Sequence, residues 1–334
     1  MNIDRLIEKI RKTVESHRLE EGVYARWMWQ NEQGTRELGV NEYGCADAAN
    51  ILYSIGDFPQ DPQKRACWVK TLKGMQEPET GLYHEATHHT IHTTAHCLAA
   101  LELFDAQPDY RLSAYDQYME KDKLEAFLAS LDWLKVERSP WSESHKGAGL
   151  YAALVITKSA PLEWQKWYFD WLRDNCDPVY GMSPKGTVDN GKAELYEHMC
   201  GWFHYMFNHN YAHMPFPYPE KLIDSCLDMY NKKELGPRFG VMVGFKEIDW
   251  VFCVNRACRQ TGYRFKECQA AMEDFANSFI AYLDNLDWEK DDEFNDLHML
   301  FGAVCAIAEL QMALPGKLVS TVPLKLVLDR RPFI

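Results

Sequence analysis

Six short stretches of the 334-residue chain gather the residue types that carry chemistry. They are Asn41-Glu42-Tyr43 with Asp47; His84-Glu85 with His88, His89 and His92; Ser144-His145-Lys146; Glu194 to His198, with Tyr196 and Glu197; Lys246-Glu247 with Asp249 and Trp250; and Asn295-Asp296 with His298. Acid–base hydrolysis needs one protonated carboxyl to donate to a leaving oxygen and a second carboxylate to activate water or attack. Glu42, Asp47, Glu194, Glu197, Glu247, Asp249 and Asp296 are the acids on offer. Asp249 ranks first as the catalytic acid, because a carboxyl beside Trp250 at the mouth of an apolar helix is partly desolvated and more readily protonated. Glu197 and Glu42 follow as base or sugar-binding partners. The competing reading is simpler: acids in first helical turns favour the helix dipole and need no further role.

His88, His92 and His96 recur at i, i+4 and i+8, a spacing that shares one helix face, with Glu85 nearby. No CxxC pair accompanies them, and successive turns rise roughly 6 Å, too far for all three to hold one ion. The expectation is therefore no metal and no cofactor, with His88, His89, His92, His145 and His298 binding sugar hydroxyls or shuttling protons. His96, deeper in its helix, reads as a hydrogen-bonded core residue. Tyr43, Tyr83, Trp141, Tyr196, Trp202 and Trp250 are candidate stacking platforms, and Lys146 and Arg256 candidate partners for an acidic sugar, although Arg256 suits an internal ion pair equally well. Asp47, Glu247 and Asp296 complete the expected substrate-binding set. Phosphate-loop, GxGxxG and GxSxG patterns are missing.

Positioning these groups falls to two classes of helix. One apolar stripe and one charged face mark outer helices around Ile3–Val14, Trp68–Met75, Leu124–Leu134, Trp164–Trp171, Leu222–Tyr230 and Met272–Leu283. Between them run stretches apolar nearly all round and rich in Ala, Gly and Cys: Cys45–Ile55, Thr93–Phe104, Gly147–Ile156, Tyr196–Phe207, Ile248–Ala257 and Leu297–Met312. Such helices are enclosed on most sides, and their small residues let axes approach closely. Measured between Gly44, Thr93, Gly147, Tyr196, Ile248 and Leu297, the steps are 49, 54, 49, 52 and 49 residues, a repeat of one supersecondary unit. Gln76-Glu-Pro-Glu-Thr-Gly-Leu and Cys176-Asp-Pro-Val-Tyr-Gly-Met echo each other where an outer helix hands over to an inner one.

Six outer–inner pairs with no polar capping unit predict an all-α fold closed into a toroid of six hairpins over residues 1–316, with an extended tail from 317 to 334 that packs on the domain or on a neighbouring copy in a homo-oligomer. This arrangement resembles the six-hairpin glycosidase-like toroids and, second, the terpenoid-cyclase-like and prenyltransferase-like ones, all (α/α)6 barrels. The resemblance rests on repeat number and helix character. It implies an active site at the end of the ring where the six inner helices begin. Against the isoprenoid branch, Asn295 stands where a DDxxD-like run needs Asp, no DxDD motif occurs, and Asp296, His298 and Cys305 match a zinc set poorly.

Bulk properties narrow the partners. A net charge of −13 repels phosphate backbones and argues against nucleic acid. No apolar run approaches a membrane span and the first residues lack a signal-peptide core. Ten cysteines, mostly in apolar helical settings and without CxxC pairing, suit a reducing cytoplasm. An aromatic share of 13% serves large cores and sugar-stacking sites alike. The expectation is a cytoplasmic glycoside hydrolase-like enzyme acting on a short oligosaccharide, with or without uronic acids. The alternatives are a sugar epimerase or isomerase with histidine bases, a ligand-binding toroid without catalysis, and an isoprenoid-processing toroid.

Overall fold

A computed structural model describes residues 1–136 and 140–334, and they form an all-α fold. In chain order the helices are α1 (Asp4–Ser16), α2 (Glu42–Ile55), α3 (Pro62–Gly74), α4 (Thr90–Leu103), α5 (Lys121–Ser130), α6 (Pro140–Ile156), α7 (Leu162–Asn175), α8 (Thr187–Asn190), α9 (Leu195–Tyr211), α10 (Pro219–Lys232), α11 (Lys246–Thr261), α12 (Phe265–Asn285), α13 (Leu297–Ala313) and α14 (Val327–Arg330). The one sheet among the described residues is a hairpin of β1 (Arg18–Glu20) and β2 (Val23–Tyr24). Each expected stretch meets a helix, the inner ones as α2, α4, α6, α9, α11 and α13, but the outer stripe expected over Leu124–Leu134 overruns α5, which ends at Ser130 where Leu131 turns to extended backbone.

The inner helices pack in a cyclic order. α2 lies on α4, α4 on α6, α6 on α9, α9 on α11, α11 on α13, and α13 returns to α2, an order consistent with a helical toroid. α1 backs α2, α3 backs α2 and α4, α10 backs α11, and α12 backs α11 and α13. α7 backs α6 and α9, its Tyr168 stacking on Tyr151 at 4.6 Å and donating to Asn208 Oδ1 at 2.7 Å. The outer helices bury only a stripe, as in α1, where Leu6, Ile7, Ile10, Thr13 and Val14 face inward. α13, by contrast, buries residues around nearly its whole circumference. Fully burying one Leu- or Phe-sized side chain is worth about 1.5–3 kcal/mol, so the inner ring carries most of the apolar stabilisation.

Local signals place the inner-helix starts. Asn41 caps α2 by accepting from the Tyr43 amide at 2.9 Å, and Asp296 caps α13 by accepting from the His298 amide at 3.0 Å. The two echoing connections fold alike: Gly81 and Gly181 both take positive φ, and each amide donates to the residue four before it, Glu77 and Asp177, at 2.9 Å. Gly44 permits a close crossing of two segments, since a Cβ there would sit 2.5 Å from the backbone joining Ala25 and Arg26. That approach brings Arg26 down onto the start of α2.

The tail does not pair as a strand beyond one bridge between Val319 and Asn2. It crosses the end of the ring where the inner helices finish. The Lys325 amide donates to the Ser54 carbonyl at 2.8 Å, α14 touches both α2 and α9, and Arg330 pairs with Glu102 and with Asp105 at 2.8 Å. Arg331, Phe333 and Ile334 are buried beyond it. Phe333 reaches 5.0 Å from the His92 ring and 5.6 Å from Phe207, so the tail fills the space between inner helices from below. The ten cysteines are free thiols. No helix among the described residues is long and apolar enough to cross a membrane.

Candidate functional site

At the end where the inner helices begin, a cavity of about 230 Å³ opens between α4, α6, α9 and α13. His88, His92, His145, His204 and His298 line it, with Arg26, Trp141, Phe245, Met299 and Ile334. No carboxylate is among the described residues that line it. A larger groove of about 770 Å³ beside α1 contains a single histidine, His17, whose Nδ1 is taken by the Ala25 carbonyl at 3.1 Å. Size alone would favour that groove; converging polar chemistry favours the cavity.

The histidine rings form one connected stack around Tyr43. Its ring lies 4.4 Å from His88 and 5.0 Å from His96, nearly parallel to both, and its hydroxyl bonds His92 Nδ1. His298 meets this stack edge-on, 5.0 Å from His88 and 4.6 Å from Tyr43. His145 continues it, 4.3 Å from His92 and 4.2 Å from His204.

Beneath the stack, Asp47 is fully buried and accepts from His96 Nε2 at 2.7 Å and from His298 Nδ1 at 3.1 Å. Burial opposes its ionisation, but the two imidazoles facing it prevail and hold the carboxyl well below the usual range. Above the stack, Arg26 grips Asp296 with two bonds, Nε to Oδ1 at 2.8 Å and a terminal nitrogen to Oδ2 at 3.0 Å. It also donates to the Thr87 hydroxyl at 2.7 Å, which in turn donates to Glu85 at 2.6 Å. Burial opposes charge on Glu85 too, yet hydrogen bonds from His88 and Thr87 and the Arg26 charge bring it down to about 2.

Four of the lining imidazoles are held neutral. Burial, ahead of every other cause, pushes His92 and His145 well below the usual range, His298 down to about 4 and His204 down to about 3. Neutral rings offer one donor and one lone pair each, and the neighbours decide which is which. His298 Nδ1–H points at Asp47, which leaves its Nε2 as the lone pair. His88 Nδ1 faces Thr87 Oγ1 at 2.7 Å. That hydroxyl proton is spent on Glu85, so His88 donates and again keeps its Nε2 lone pair. His145 makes no hydrogen bond among the described residues.

The expected site residues divide sharply. His88, His92, His145 and His298 line the cavity, and Tyr43, Asp47 and Asp296 support it from behind. His89 caps α4 by accepting from the Ile91 amide at 3.1 Å. Lys146 pairs with Glu143 at 2.7 Å. Glu42 lies half-buried in the first turn of α2, its carboxyl raised by burial. Glu197 closes a capping box with Glu194, accepting from that residue's amide at 3.0 Å. Tyr196 lies under Lys246, 5.8 Å from its ammonium. Trp250 is buried outward against α10, donating to the Cys226 carbonyl at 3.1 Å and stacking on Tyr230 at 4.7 Å. Glu247 accepts from the Gly240 amide at 2.9 Å, and burial raises its carboxyl to about 7. Asp249 is fully buried beside Cys200, with both oxygens free of hydrogen bonds and its carboxyl raised well above the usual range by burial. Arg256 makes the internal ion pair, bidentate to Glu309 at 2.6 and 2.9 Å.

Sequence reasoning did not find Arg26, His204, Phe245, Met299 or Ile334. Arg26 lies in an aperiodic connection, and the only signal for it is Gly44, which permits the approach. His204 sits singly in an apolar helix, where it reads as core. Ile334 belongs to a tail whose route has no periodic signature. Comparison with family models, with curated proteins and with solved structures yields no match to this chain.

Proposed function

We propose that the chain is an (α/α)6 toroid in the cytoplasm, and that its central cavity binds a monosaccharide-sized sugar and interconverts it by proton transfer at histidine. The closed order of the inner helices supports the toroid. The observation that carries the activity is the convergence of five histidines on a cavity with no carboxylate among its described lining residues. Paired-carboxylate hydrolysis by Asp249, Glu197 and Glu42 has no comparable support, since Glu197 is engaged in a helix cap and Asp249 is enclosed by protein. A volume of about 230 Å³ is below the roughly 300–1,000 Å³ that houses drug-sized ligands, which favours a single sugar ring over an oligosaccharide.

In this reading His145 is the base. It is unprotonated at neutral pH and no described protein group occupies its nitrogens. It takes the proton from a carbon next to the sugar carbonyl and the C–H electron pair moves into an enediolate; the proton on His145 exchanges with solvent, His145 returns a proton from the same side to the neighbouring carbon, and the hydroxyl proton passes between the two oxygens. His92 and His298 hold the ligand's oxygens, and Trp141, Phe245 and Met299 cover its apolar face.

The test is a thermal-shift panel of mono- and disaccharides, uronic acids included, with each hit incubated in deuterium oxide and followed by NMR. A bound ligand raises apparent stability. Incorporation of deuterium at the carbon beside the carbonyl is the expected result. Release of a new reducing end without exchange would overturn the proposal and return the paired carboxylates to first place.

A further inference from the structure

The geometry points to a metal site formed by Nε2 of His88, His92 and His298, suited to a first-row divalent ion such as zinc. It deepens the histidine reading of the cavity, with His92 and His298 then meeting a ligand oxygen through the ion rather than directly, and it stands on ring geometry that holds for any ligand. One donor nitrogen from each of the three residues lies within 4.8 Å of the others. A tetrahedral ion with metal–nitrogen bonds of 2.0–2.1 Å needs those nitrogens roughly 3.3 Å apart, a contraction that side-chain adjustment about a central ion supplies.

What separates this trio from a chance meeting of histidines is what lies behind each ring. Metal-binding imidazoles characteristically give their other N–H to a carboxylate, a hydroxyl or a carbonyl that fixes tautomer and orientation. Here His298 Nδ1 meets Asp47 at 3.1 Å, and His88 Nδ1 meets Thr87 at 2.7 Å with Glu85 behind it. His92 Nδ1 meets the Tyr43 hydroxyl, which can in turn donate its hydrogen bond to Thr93 Oγ1 at 3.3 Å. Three Nδ1 atoms have separate partners, and the three Nε2 atoms make no hydrogen bond among the described residues. The trio comes from a loop and two helices, as three coordination directions require: His88 precedes α4, His92 is in its first turn, and His298 opens α13. The charge around it also suits a cation. Asp47, Glu85 and Asp296 surround the stack, against the guanidiniums of Arg26 and of Arg331, which lies buried on the tail side near Asp47. Three carboxylates against two guanidiniums leave an excess of one negative charge. With three protein ligands, such an ion keeps a position open toward the cavity, where it would polarise a ligand oxygen close to His145.

The experiment uses the full chain, stripped with a chelator and titrated with Zn²⁺ or Co²⁺. Metal content is measured by mass spectrometry, and the visible absorption of Co²⁺ reports its coordination. One ion per chain with a tetrahedral cobalt spectrum is expected. His88→Ala and His298→Ala should each lose it, and Asp47→Asn should weaken it about 10- to 100-fold while circular dichroism stays unchanged. His88→Ala decides the matter should His298→Ala fail to fold, because His88 is only half-buried and lies outside the helix. No stoichiometric uptake, or uptake undiminished in His88→Ala, overturns the site. The sugar panel, run on stripped and loaded protein, separates the two proposals: metal uptake without sugar binding keeps this site and rejects the sugar reading, and sugar binding without metal uptake does the reverse.

Discussion

The ring of inner helices holds two buried clusters of ionisable groups, and they differ in how their polar atoms are met. Around α2, α4 and α13, Asp47 accepts from two imidazoles, Tyr43 holds a third, and Arg26 grips Asp296. Between α9 and α11, Asp249 sits beside Cys200 with both oxygens unbonded, and one oxygen of Glu247 is also without a partner. The first cluster keeps ionised carboxylates and orients neutral rings toward open space. The second meets burial by raising its carboxyls, Asp249 well above the usual range and Glu247 to about 7, and its thiols, Cys200 and Cys253, are likewise held un-ionised by burial. A perturbed carboxyl alone therefore does not mark the site in this molecule. Polar groups oriented by others and facing a cavity do.

The sharpest way to break this contrast is to compare turnover of the sugar found in the panel. His145→Gln should lower kcat/KM by about 10²- to 10⁴-fold, the usual range for losing a general base. Asp249→Asn would be equally damaging if paired carboxylates did the chemistry; here it should leave turnover in place. A result with the two roles exchanged removes the histidine reading.

The clusters should also respond to pH in opposite senses. Burial raises Glu247 from about 4.5 to about 7, so the native state binds more protons than the unfolded one across that window. Its contribution to stability is present at low pH and is lost as pH rises, by about 3 kcal/mol at pH 7. His204 is lowered from about 6.5 to about 3, so the unfolded state binds more protons in its window. That contribution is present at neutral pH and falls by about 2 kcal/mol as the solution is acidified to pH 5. Chemical denaturation between pH 5 and 7 should show Glu247→Gln gaining stability toward neutral pH relative to the parent chain. His204→Asn should instead lose less than the parent on acidification. Parallel pH curves for both variants and the parent would mean that neither group titrates on unfolding.

Most of the scaffold was legible in the sequence. Apolar stripes located the outer helices, and Ala-, Gly- and Cys-rich segments located the inner ones, because helical periodicity is a local property. The two Pro–Gly connections announced a shared turn that Gly81 and Gly181 adopt. The site was legible only in pieces. Spacing placed His88, His92 and His96 along one helix, whereas His88 precedes α4 and the ring that meets His88 and His92 edge-on, His298, comes from α13, about 200 residues away. Spacing along a helix carries no information about a neighbour supplied by a helix far along the chain. Ranking Asp249 by its adjacency to Trp250 met the same difficulty. Trp250 turns outward to α10, and one residue along a helix is a rotation of about 100°, which carries Asp249 toward α9 and Cys200 rather than into the cavity.

The smallest expected effect separates orientation from stability within α2 itself. Asn41 and Tyr43 both lie at its start, and each makes a hydrogen bond whose loss costs about 1 kcal/mol. Asn41→Ala removes the cap, so its whole effect should appear in the denaturation midpoint, with ligand affinity unchanged. Tyr43→Phe keeps the ring stacked between His88 and His96 but removes the hydroxyl that holds His92 Nδ1. The His92 ring is then free to change tautomer or turn, so a comparable loss of stability should come with weaker ligand binding. Calorimetric titration of both variants beside their denaturation curves makes the distinction. Equal affinity in the two would mean that the Tyr43 hydroxyl only packs the helix start, and that the orientation of the histidine stack comes from Asp47 and Thr87.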